Sequence, residues 1–88
     1  MCTYATMNTE LEGSAKGPES SWFHVSHGTV YFDHPVHAMA DHTLNIDFTD
    51  PNGGPGARVA VELTAASARS LVDAIESALA SAPEALKV

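Results

Sequence analysis

From Thr64 onward the apolar residues change period. Ala68, Leu71, Val72, Ile75, Ala78 and Leu79 fall at i, i+3, i+4, i+7, i+10 and i+11, which is one stripe of an amphipathic helix. Upstream the alternation has a period of two. Leu44, Ile46 and Phe48 alternate with Asn45 and Asp47, and Val59, Val61 and Leu63 alternate with Ala60 and Glu62. One helical stripe after a series of half-buried strands restricts the chain to an antiparallel sheet with a single helix packed on one face, an α+β architecture. Thr64 has the hydroxyl of an N-cap, and Pro83 stops the helix, which is expected from about Ala65 to Ala80.

The strand pattern predicts five strands. The first covers residues 3 to 12 and ends at a loop from Gly13 to Ser21. Trp22 to Ser26 and Thr29 to Asp33 are rich in aromatic and β-branched residues, and the His27-Gly28 step between them predicts a tight hairpin. Thr43 to Thr49 and Arg58 to Leu63 complete the set, with a Pro- and Gly-rich loop from Asp50 to Gly56. Such a hairpin would set His24 opposite Tyr31 and Trp22 opposite Asp33, on a polar and aromatic face shared with Asn45, Asp47, Arg58 and Glu62. Phe23, Val25, Val30 and Phe32 would then join Leu44, Ile46, Val59 and Val61 under the helix.

A chain of 88 residues fits a single domain over 1–88. It buries only about 60 to 65% of its unfolded surface, so a homodimer is expected, using the sheet face with Tyr4, Trp22, Tyr31 and Asn45. Eleven carboxylates against four scattered Lys and Arg give a net charge of -7, which argues against nucleic acid and anionic membrane surfaces as partners. No apolar run approaches the roughly 20 residues of a membrane span, and the first residues lack a signal-peptide pattern, so a cytoplasmic location is expected. Cys2 is the one cysteine, read as an ordinary thiol, so a metal would need His and carboxylate ligands.

All five histidines lie between His24 and His42. His34 ends a strand on the parity of Phe32, and His42 precedes the next on the parity of Leu44, so both rings are expected on the same side of adjacent strand ends. The loop between them carries His37. Three imidazoles converging there suit zinc first, then iron, nickel or copper, with Asp33 or Asp41 as a further ligand or as acceptor of a ring N–H. A second constellation, His24 with Tyr31 and Asp33, has the groups of a general base, a polarising hydroxyl and an orienting carboxylate, and supplies the catalytic candidates.

Met-Cys-Thr-Tyr at the start, Val-Tyr-Phe-Asp-His-Pro-Val-His-Ala at 30–38, His-Thr-Leu-Asn-Ile-Asp-Phe at 42–48 and Ala-Arg-Val-Ala-Val-Glu-Leu-Thr at 57–64 resemble a family of short actinobacterial proteins with no assigned activity. The resemblance implies a soluble bacterial protein whose recurring motif includes Asp33, His34, His37 and His42. Two functions stay open: a His-rich site binding a divalent metal and a small molecule, anionic or carbonyl-bearing, or a non-catalytic homodimeric interaction protein whose histidines only order the loop.

Overall fold

Four strands follow one another across a single antiparallel sheet in the order β1-β2-β3-β4, with β1 at Thr6–Lys16, β2 at Trp22–Asp33, β3 at Thr43–Thr49 and β4 at Arg58–Leu63. Helix α1, Ala65–Ser81, follows directly. The computed structural model describes residues 4–87, so the beginning of the first expected strand at Thr3 and the Cys2 thiol lie outside the described residues.

Among the described residues the strand count is four, because β2 has no turn at His27-Gly28. Those two residues pair with Thr49 and Phe48 of β3 on one side and with Glu10 and Thr9 of β1 on the other. A Cβ built at Gly28 would lie 2.9 Å from Leu11 Cδ1, so the flexible end of a β1 side chain covers this glycine. The register between β1 and β2 shifts between Glu10 and Gly13, a bulge that accompanies this approach. The first strand accordingly runs on to Lys16, through the segment expected as loop.

Removing the turn changes which residues meet. His24 and Tyr31 are seven positions apart on one strand, roughly 23 Å at the usual rise, so they do not oppose one another, and neither do Trp22 and Asp33. The register rows Val30-Ile46-Val61 and Phe32-Leu44-Leu63 place the expected apolar residues of the last three strands on one face. Val25 reaches the same set differently, lining a hollow with Leu11, Phe48 and Val59.

Thr64 caps α1, its hydroxyl accepting the Ser67 backbone N–H at 3.1 Å. At the other end Lys87 folds back, its ammonium donating to the Leu79 carbonyl at 3.0 Å and pairing with Glu84. The helix packs on the sheet along β3 and β4, with Ala68 half-buried and the rest of α1 exposed. Among the described residues the buried apolar core is Val25 and Ala57, and the buried polar residues are Thr43 and Asn45. Among the described residues no helix is long and apolar enough to cross a membrane.

Candidate functional site

Two neighbouring features sit where β2 hands over to β3. The first is the loop of residues 34–42. Its entry is fixed by Asp33, whose carboxylate accepts the His34 backbone N–H at 2.7 Å. Its middle is held by Glu62 of β4: one carboxylate oxygen accepts from the His37 and Ala38 N–H groups at 3.0 and 2.9 Å, the other from Val36. These bonds, led by that from Val36, hold the Glu62 carboxyl below its ordinary value of 4.5. A single ionised side chain therefore ties down three consecutive peptide groups of the loop.

With the loop held this way, the two strand-end imidazoles meet. The His34 and His42 ring centroids are 4.4 Å apart, and His42 stacks on Phe32 at 5.6 Å and 10°, with Tyr4 close to both. His34 Nδ1 lies 2.9 Å from the Asp41 carbonyl oxygen. A carbonyl only accepts, so Nδ1 carries the proton of this bond. His42 Nδ1 lies 3.3 Å from the Asp41 carboxylate, and its buried Nε2 meets no hydrogen-bonding partner.

One ligand atom from each of His34, Asp41 and His42 lies within 4.8 Å of the others. His37, in contrast, stands outside that group and is exposed, anchored through its backbone to Glu62. Metal–ligand bonds of about 2.0 to 2.2 Å require ligand atoms closer together, roughly 3.4 Å apart in a tetrahedron. To hold a metal the three side chains, which are exposed or half-buried, would have to draw closer together than they stand here. Two imidazoles and a carboxylate leave at least one coordination position open.

The second feature is a cleft of about 790 Å³ on the polar face of the sheet, lined by Tyr31, Asp33, Asn45, Asp47, Arg58 and Glu62 and walled by His34 and the loop. Asp47 organises it, taking the Arg58 guanidinium at 2.8 Å on one oxygen and the Tyr31 hydroxyl at 3.4 Å on the other. Burial, with the Asp47 charge second, raises the Tyr31 hydroxyl above the ordinary 10.0, so it stays a hydrogen-bond donor through neutral pH. Of the catalytic candidates, Tyr31 and Asp33 line the cleft, whereas His24 is exposed on the distant half of β2, paired with Ser14.

The four residues of the expected dimer surface do not form one patch. Asn45 is buried and accepts the Thr43 hydroxyl at 2.6 Å, Tyr31 is half-buried in the cleft, and Trp22 is exposed nine positions along β2 from it. Glu62 as a loop clamp has no local sequence signature, although the alternation of β4 does put it on the polar face.

A family model described as a family of unknown function matches residues 1–88. Comparison with curated proteins and with solved structures finds no match.

Proposed function

Because the chain belongs along its length to DUF6295, a family of unknown function, its own geometry has to carry the functional reading, and we propose that it binds a divalent transition metal through His34, Asp41 and His42 and a small polar molecule in the adjoining cleft. The observation that carries this reading is the convergence of two imidazoles and a carboxylate within 4.8 Å, with the Asp41 carboxylate 3.3 Å from His42 Nδ1. Zinc suits the nitrogen and oxygen donors first, then iron, nickel or copper.

Each residue then has a part. Asp41 orients His34 through its carbonyl and would offer its carboxylate, 3.3 Å from His42 Nδ1, to the metal. Arg58, held by Asp47, offers N–H donors to an anionic or carbonyl oxygen of a ligand in the cleft, and Tyr31 offers its hydroxyl. A bound metal would supply Lewis-acid polarisation of such an oxygen.

Elemental analysis of protein purified without a polyhistidine tag tests the reading directly. Near-stoichiometric metal is expected, lost in His34→Ala and His42→Ala and retained in His37→Ala. A chelator should lower the melting temperature and added zinc should restore it. Metal far below stoichiometric, with no thermal response to zinc, iron, nickel or copper, would sink the metal site and favour an interaction protein whose histidines order the loop. The apolar surface that this chain leaves exposed supports an association role in either case.

A further inference from the structure

Helix α1 carries an apolar stripe that the chain does not cover. Leu71, Val72, Ile75 and Leu79 are 42, 53, 51 and 55% exposed. Most of a protein helix's stability comes from packing its amphipathic face, and α1, 17 residues long, leaves that face largely uncovered. The whole molecule shows the same deficit. Its accessible surface is 6528 Å², whereas a folded monomer of 9.2 kDa is expected to expose roughly 4,900 Å². Its radius of gyration is 14.5 Å, against about 12 Å for a compact chain of this length. The excess of roughly 1,600 Å² is about twice what each partner contributes to a standard interface, and within the span of permanent dimers.

We infer that the apolar face of α1 is the centre of a two-fold interface with a second copy of this chain, the two helices antiparallel and crossing near Ile75. The order of residues along the helix selects this occupant. Leu71 and Leu79 stand four residues on either side of Ile75, and Ala68 and Ala82 stand seven on either side. Antiparallel helices crossing at Ile75 set Leu71 against the partner's Leu79, Ala68 against the partner's Ala82, and Ile75 against its own copy. A patch that matches its own reverse is what an isologous contact needs. The charges agree, since Asp73 then falls level with Ser77 and Glu76 with Ala74, whereas a parallel pair would bring Asp73 and Glu76 level with their own copies.

The exposed edge strand β1 is the competing surface. Its bulge between Glu10 and Gly13, and the charges of Glu10, Glu12 and Lys16, oppose regular pairing with another strand. The helix interface is independent of the metal reading, so it is tested on metal-free protein.

Sedimentation equilibrium of the chelator-treated chain at tens of micromolar should give twice the 9.2 kDa of one chain. In a Cys2→Ser background, Ile75→Cys should be joined into a dimer by a short bis-maleimide, and Ser77→Cys, on the far side of the helix, should not. Ile75→Glu should raise the dissociation constant at least 100-fold. Should that variant fail to fold, the two exposed cysteine positions still decide the matter. A monomer at these concentrations, equal linking at positions 75 and 77, or stronger linking of Asn8→Cys in β1 than of Ile75→Cys would overturn the inference.

Discussion

At the scale of single residues, Glu62 and Asp41 do more than their positions in the chain suggest. The Glu62 carboxyl is held below its ordinary 4.5 by three loop N–H groups, so ionised Glu62 favours the folded loop. A depressed folded value contributes stability above the unfolded pKa and loses it as pH falls through the folded value. The loop of residues 34–42 should therefore begin to loosen below about pH 4.5 and be released at lower pH, read as faster amide exchange at Val36, His37 and Ala38. Glu62→Gln should show that exchange already at pH 7, because an amide nitrogen donates where a carboxylate oxygen had accepted. Asp41→Asn should weaken metal binding by more than the roughly 10- to 100-fold that losing an outer-shell partner costs, read by isothermal titration, because it removes the anionic ligand itself. Tyr31 has the opposite sense. Its hydroxyl is raised above 10.0, so its contribution is complete below that pH and is lost as pH rises through the folded value. Tyr31→Phe should remove the latest phase of phenolate absorbance in an alkaline titration.

At the scale of elements, β2 and α1 carry the informative differences between sequence and structure. Gly28 in a tight hairpin would need a positive φ, and replacing it would be costly. With β2 continuous, Gly28 has no positive φ, which among the glycines of the described residues belongs to Gly54 in the β3–β4 loop, and the obstacle at Gly28 is the end of the flexible Leu11 side chain. Gly28→Ala should therefore change stability by less than about 1 kcal/mol in urea unfolding, whereas Gly54→Ala, at φ 80°, should cost about 1 kcal/mol or more. Leu71→Ala in α1 reports on the partner. Leu71 is 42% exposed in the isolated chain. Its truncation should cost about 1 kcal/mol where the protein is dilute, and about 2 to 5 kcal/mol at concentrations where a second copy covers it. The alternation of β3 and β4, the period of α1 and its Thr64 cap were all legible in the sequence, because each rests on contacts among near neighbours in the chain. The His27-Gly28 step misled because a strand glycine and a turn glycine look alike until the neighbouring strand is in place.

For the whole molecule the question is what closes a core consisting of Val25 and Ala57 among the described residues. A dimer makes the melting temperature rise with protein concentration by mass action, and a scan from about 2 to 200 micromolar should show that rise, flattened in Ile75→Glu. By itself the sequence determined the α+β class, the single helix with its stripe, the polar and apolar faces of β3 and β4, and the meeting of His34 with His42. All of these follow from periods of two and 3.6, which local backbone geometry fixes. Tertiary structure alone decided that β2 runs unbroken past Gly28, that Asp41 rather than His37 completes the cluster of ligand atoms, that Glu62 holds the loop, and that the helix stripe stays open. Each of those depends on where a residue from a distant segment comes to rest: Leu11 against Gly28, and Glu62 beneath residues 36–38. No local period encodes such an encounter, because its energy exists only once the loops between the segments have closed.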